Sequence, residues 1–256
     1  MFVLLKLSTR SIALVAVFAA LYYVLSLISP KIPSIGVSGL NIQLEALMAS
    51  VFGFLLGPYI GALTAFLGAS VAWVLPPASM NPAGAPFLLS PPLNALIVGF
   101  IFYRRWKWAF ASLSLLIVAF VFLPPSQPLI SYYYVSVAVL WDKVIAVLLI
   151  IPIVLLSRKA SNPMNATILF FLISFIGNQA DNMWGSDVFA APIVYGGIFG
   201  MPLDGVRVAF IVSPFIYPAI RFVQAILATV IVVPVMVALR NTAWIIREKS
   251  ILEQQV

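Results

Sequence analysis

The run Gly177 to Asp187, GNQADNMWGSD, places Asn178, Gln179, Asp181, Asn182 and Trp184 within about two helical turns, a density of polar and aromatic groups found nowhere else in the chain. Amides and a carboxylate beside an indole suit a small-molecule site, in which apolar and aromatic walls carry a few placed polar groups. The competing reading is a loop with an Asn/Asp helix cap and a Trp at a membrane interface. A second polar set, Asn41, Gln43 and Glu45, alternates just ahead of an apolar run, and Trp73 and Tyr132-Tyr133-Tyr134 lie at the ends of others. Asp142, Lys143 and Arg221 fall inside apolar segments, where ionisable groups are expensive unless paired and so mark functional positions. Adjacent residues of a helix point in different directions, so Asp142 and Lys143 are expected to take separate partners, Asp142 with Arg221 or Lys143 with Glu45. The candidate ligand-binding set is therefore Asn41, Gln43, Glu45, Trp73, Asp142, Asn178, Gln179, Asp181, Asn182, Trp184 and Arg221.

The elements that position these residues must lie in a bilayer. Of 256 residues, 63% are hydrophobic and 8% charged, against about 25% charged in a soluble domain. The chain has neither cysteine nor histidine. That removes disulfides, thiolate nucleophiles, His-based metal sites and every triad built on His or Cys, and no metal or other cofactor is expected. No G-x-x-x-x-G-K-[ST] occurs, so any ATP hydrolysis has to come from a partner.

A span needs roughly 20 apolar residues. Prolines and glycines divide the chain into helices at 10–29, 43–56, 59–75, 86–103, 108–123, 132–157, 165–180 and 219–239, one polytopic all-α transmembrane bundle over residues 1–256. The first run, Ser11 to Ile28, is longer than a signal-peptide core, and no small-x-small site follows in Ser29-Pro30-Lys31-Ile32-Pro33, so it reads as a retained span. Pro91-Pro92 falls inside the fourth range and predicts either a kink or a later start. Ala190 to Pro218 is apolar but repeatedly broken by Pro and Gly, which predicts half-helices or a re-entrant cap.

Charge supports this layout. With both termini cytoplasmic, the cytoplasmic segments hold Lys6, Arg10, Arg104, Arg105, Lys107, Arg158, Lys159, Arg240, Arg247 and Lys249 out of fourteen basic residues. The net charge of +7 then reflects the positive-inside rule, and nucleic acid is excluded as the partner it would serve. Asp181, Asp187 and Asp204 fall in the opposite, outer loop region, with Glu45 at the outer end of the second span.

Lipid gives helices no hydrophobic reason to associate, so contacts in a bilayer rely on small residues that let backbones approach. Ala13, Ala16 and Ala20 share one face of the first helix and form a candidate docking face for a partner. Gly61, Ala65 and Ala69 make a second ladder, read as packing inside the bundle.

The first helix with its Ala16 and Ala20 pair, the loop Pro30-Lys31-Ile32-Pro33, and FGFLLGPYIGALTAFLGA from Phe52 to Ala69 together resemble the substrate-binding S components of energy-coupling factor (ECF) transporters. NALIVGFIFYRR (Asn94 to Arg105) and RFVQAILATVIVVPVMVALR (Arg221 to Arg240) resemble that family's basic-ended helix and its last helix. The resemblance implies a six-helix core within the eight spans laid here. It also implies capture of a water-soluble vitamin or related heterocycle on the extracytoplasmic side of a prokaryotic-type plasma membrane, with a loop, here Ile35 to Gly39, closing as a lid. The partners implied are a transmembrane T subunit, docked through Ala13, Ala16 and Ala20, and two cytoplasmic ATPases. Outer acids with Trp and Tyr suit a planar, nitrogen-rich ligand, including a cationic one.

Other classes stay open on sequence. A proton-coupled secondary transporter would use Asp142 or Glu45, although no internal repeat is evident. An intramembrane lipid-modifying enzyme would use Asp181, Asp187 and Asp204, in a spacing that matches no nameable motif. A purely structural membrane partner would not need the polar cluster beside Trp184.

Overall fold

In a computed structural model, residues 8–30, 32–34, 41–157 and 163–239 are described. The helices are α1 (Thr9–Ile28), α2 (Leu47–Val74), α3 (Ser90–Phe102), α4 (Trp106–Val121), α5 (Leu129–Leu156), α6 (Pro163–Phe189), α7 (Pro192–Tyr195), α8 (Leu203–Val212) and α9 (Ile216–Leu239). Two short strands, β1 (Ile32–Pro33) and β2 (Asn41–Ile42), pair antiparallel between α1 and α2, with Ile32 opposite Ile42 and Pro33 opposite Asn41. Five helical stretches among the described residues are long and apolar enough to cross a membrane.

The polarity of the bundle is inverted relative to a soluble protein. Ile130, Ile193 and Phe122 stand on the surface, whereas Asp142, Lys143, Asp181, Arg221, Asn178 and Gln179 are buried. Apolar residues outside and polar groups inside are the pattern that a hydrocarbon solvent selects.

Each of the eight sequence ranges corresponds to a helical segment, with three corrections. The ranges 43–56 and 59–75 are the two arms of α2, which folds back at Gly57 (φ 76°, ψ 178°), followed by Pro58. A Cβ on Gly61 would lie 2.7 Å from the Phe52 carbonyl oxygen, an approach nine residues apart in sequence that a straight helix cannot make. The first arm, Leu47 to Leu56, is buried along its whole length and about 15 Å long, half the hydrocarbon thickness. It is thus an enclosed core helix that protein, not lipid, surrounds. Its start is taken over by a 3-10 turn at Leu44–Ala46. Secondly, α3 begins at Ser90, so Pro91 and Pro92 occupy its first turn, where a missing N–H breaks no helical bond. Thirdly, α6 continues past 180 to Phe189, which places Asp181 and Asp187 in a helix instead of an outer loop.

Small residues set the helix spacing. Gly99 of α3 sits against the Pro58 backbone, where a Cβ would lie 2.5 Å from its N and Cα, and a Cβ on Gly177 of α6 would run into Asn94 Oδ1. Ala65 and Ala69 are buried, as expected of packing inside the bundle. The Ala13, Ala16 and Ala20 face of α1 is exposed, while Val15, Ala19 and Tyr22 point inward against α2. Ala190 to Pro218 forms the short helices α7 and α8. Arg207 of α8 anchors this segment: it donates from Nε to Pro125 O (3.2 Å) and from Nη2 to Gln127 O (2.8 Å), and its guanidinium lies 3.4 Å from the Tyr132 ring centroid.

Candidate functional site: a polar cavity between α2, α6 and α9

A cavity of about 350 Å³ opens among β1–β2, the second arm of α2, α6, α8 and α9, within the size range of small-molecule sites. Trp73, Phe87, Phe189, Phe210 and Tyr217 supply aromatic wall. Asn41, Gln43, Glu45, Asp181, Asn182, Lys143 and Arg221 supply polar groups. The half-length first arm of α2 explains how these reach so far into an apolar bundle: Glu45 and Ala46 line the cavity just ahead of its buried N-terminus.

Two ion pairs organise the charge. Arg221 Nη2 of α9 lies 2.7 Å from Asp181 Oδ1 of α6, with both side chains almost fully buried. Arg221 Nη1 also donates to Gln224 Oε1 (2.8 Å), and Gln224 Nε2 donates to the Gln43 carbonyl (3.0 Å). On α5, Lys143 Nζ lies 2.9 Å from Asp142 Oδ1. The expectation of separate partners for Asp142 and Lys143 is therefore wrong, as are the pairings of Asp142 with Arg221 and Lys143 with Glu45. A lysine stem is long enough to curl back onto the preceding carboxylate, where the two buried charges compensate each other. Tyr22 is fully buried on α1, close against Gly68 and facing the Phe52 ring at 6.5 Å between centroids. The hydroxyls of Ser34 and Tyr217 meet, tying the end of β1 to α9.

The sequence-selected residues thus divide. Asn41, Gln43, Glu45, Trp73, Asp181, Asn182 and Arg221 line the cavity. Asp142, Asn178, Gln179 and Trp184 do not. Asp142 holds Lys143, which does line it. Asn178 belongs to a cross-brace in which Ser50 Oγ donates to Asn94 Oδ1 (2.8 Å) and Asn94 Nδ2 to Asn178 Oδ1 (3.2 Å), joining α2, α3 and α6. Trp184 Nε1 reaches Pro86 O at 3.4 Å and steadies the 3-10 turn Ala85–Leu89. Gln179 is fully buried, with no hydrogen-bond partner for its amide among the described residues. The loop Ile35 to Gly39, expected to act as a lid, lies outside the described residues.

Sequence reasoning selects neither Lys143, an intramembrane charge that lines the cavity, nor Gln224, which holds Arg221 and the Gln43 carbonyl. Gln224 carried a usable signal, one turn beyond Arg221 in a span otherwise without polar side chains as far as Thr229. The acidic trio of the enzyme reading is dispersed in its pairings: Asp181 is held by Arg221, and exposed Asp204 by Arg207 Nη1 at 2.8 Å. Among the described residues no group of three Asp or Glu side chains could hold a metal.

The family described as "ECF-type riboflavin transporter, S component" matches residues 6–194, which carry α1 to α6 and the polar run from Gly177 to Asp187. Neither the curated proteins nor the solved structures contain a match to the chain. That family consists of transporter components, not enzymes, and its helical membrane bundle is the architecture seen here. With about three quarters of its length matched and the bundle in place, this multi-pass membrane protein belongs to the S components of ECF-type riboflavin transporters.

Proposed function

We propose that the cavity captures riboflavin, or a closely related flavin, on the extracytoplasmic side of the plasma membrane for ATP-driven uptake. The observation that carries this reading is the combination of aromatic walls with compensated ion pairs at the cavity. Such pairs offer donors and acceptors while cancelling each other's charge, which suits a neutral planar heterocycle with a polyol tail. Because Arg221 matches the charge of Asp181, this acid does not favour a cationic ligand. Asp142, held by Lys143, is likewise poorly suited to carry protons for a secondary transporter.

Energy comes from outside the chain in this reading. The exposed Ala13, Ala16 and Ala20 face is the docking surface for a T subunit that two cytoplasmic ATPases drive, with both termini of this chain cytoplasmic. Of the basic residues that suggest this orientation, Lys6, Arg158, Lys159, Arg240, Arg247 and Lys249 lie outside the described residues.

Thermal unfolding and flavin fluorescence of the purified protein in detergent test the proposal. Riboflavin at a hundred times its dissociation constant should add about 2.7 kcal/mol of stability and should be quenched on binding beside the aromatic walls. A well-folded protein that neither gains stability nor quenches the flavin would overturn the reading.

A further inference from the structure

We propose that Gln224 is a positioning residue that joins the Asp181–Arg221 pair to the strand pair β1–β2, so that two walls of the cavity respond as one unit. Four groups stand in line. Asp181 Oδ1 on α6 receives Arg221 Nη2 at 2.7 Å, Arg221 Nη1 reaches Gln224 Oε1 at 2.8 Å, and Gln224 Nε2 reaches the carbonyl of Gln43 at 3.0 Å. Gln43 directly follows β2, and its carbonyl also receives the Ala46 N–H at 3.4 Å, so the same oxygen anchors the 3-10 turn that carries Glu45. The contact between Ser34 and Tyr217 makes a second tie from β1 to α9, one turn before Arg221.

The chemistry of an amide makes this line directional. Gln224 is fully buried and uses both ends of its side chain. Turning the amide over would set its NH2 against a guanidinium and its oxygen against a carbonyl, so its two neighbours fix one orientation between them. Only a residue with one acceptor and one donor at this reach satisfies both. The guanidinium fork is equally specific, because it spans Asp181 and Gln224 simultaneously, which the point charge of a lysine does not. Asp181, Arg221 and Gln43 all line the cavity, whereas Gln224 lies behind them. A ligand group that hydrogen-bonds at Asp181 or Arg221 therefore shifts an element that also holds Gln43. The role given to Gln224 rests on the riboflavin reading only in that the cavity is where substrate sits. Arg221, Gln224 and Tyr217 lie beyond the residues that the family match covers.

Amide hydrogen exchange of the full chain in detergent, without ligand, tests the coupling. Arg221→Lys keeps a cation beside Asp181 but drops the fork to Gln224. It should speed exchange across Asn41 to Ala46 about fivefold, the equivalent of one net hydrogen bond. In a Gln224→Met background, where the line is already cut, the same change should add nothing. Gln224→Glu, which still accepts from Arg221 but cannot donate to Gln43, should behave like Gln224→Met at Asn41 to Ala46. An unchanged rate in Arg221→Lys overturns the proposal, as do equal increments in both backgrounds or an increment of the same size in α3. With riboflavin added, wild type should gain protection at Asn41 to Ala46 that Gln224→Met lacks. If riboflavin does not bind wild type, the functional reading fails while the ligand-free comparison still decides the role of Gln224.

Discussion

The Asp181–Arg221 pair lends itself to a double-mutant cycle that separates folding from binding. At 2.7 Å, and with an effective dielectric constant of about 20, the gross attraction is about 6 kcal/mol. Desolvating both ions offsets most of it, so the pair itself adds little net stability. Removing one partner is different, because it strands a charge among apolar helices at a cost of about 3–5 kcal/mol. Asp181→Leu and Arg221→Met should each destabilise by that amount, whereas the double variant should return to within about 2 kcal/mol of wild type. The coupling energy should then exceed about 4 kcal/mol, well above the usual limit of about 3 kcal/mol for contacting residues. Reversible unfolding in mixed micelles against increasing SDS measures the stabilities, and riboflavin titration of the same samples measures the site. All three variants should lose binding, including the stable double. Additive destabilisation in the double would refute the electrostatic account, and flavin binding by the double would remove the pair from the ligand contacts.

Four further outcomes follow from the structure. Gly99→Ala drives a Cβ to 2.5 Å from Pro58 backbone atoms that cannot rotate away, and should cost about 1–3 kcal/mol in the same assay. Gly185→Ala meets only Phe87 at 3.8 Å and should stay within about 0.5 kcal/mol. Arg207→Lys keeps a cation near Asp204 but forfeits the fork to Pro125 O and Gln127 O and the stack on Tyr132. It should cost about 2–3 kcal/mol, seen as a lower unfolding temperature. Ala16→Leu, at an exposed position on α1, should leave stability and flavin affinity unchanged while abolishing co-purification with a T subunit and ATPases. Retention of the complex by an Ala13, Ala16 and Ala20 triple leucine variant would place the docking face elsewhere.

Most of the architecture was legible because helix breaks in this chain have local causes. Gly57-Pro58 marks the turn between the arms of α2, and Ser90-Pro91-Pro92 marks the start of α3. The extension of α6 to Phe189 was not legible, since GNQADNMWGSD lowers the apolar signal that delimits a span. In a water-soluble protein such a run would favour a loop; here the helix continues because its polar groups turn to other helices, Asn178 to Asn94 and Asp181 to Arg221. The site was legible only in part, for a related reason. A polar side chain in an apolar segment announces that it is buried, and burial demands a partner. Whether that partner is another helix or a ligand depends on tertiary neighbours that no spacing encodes. Asn178 and Asp181 stand three residues apart with equal claims on sequence, yet one braces α3 and the other faces the cavity. What separates them is the half-length arm of α2. By beginning only at Leu47, after the turn Leu44–Ala46, it leaves the space that Asp181, Arg221 and Gln43 come to line, so the site lies where this helix starts and not where Gly57 turns it back.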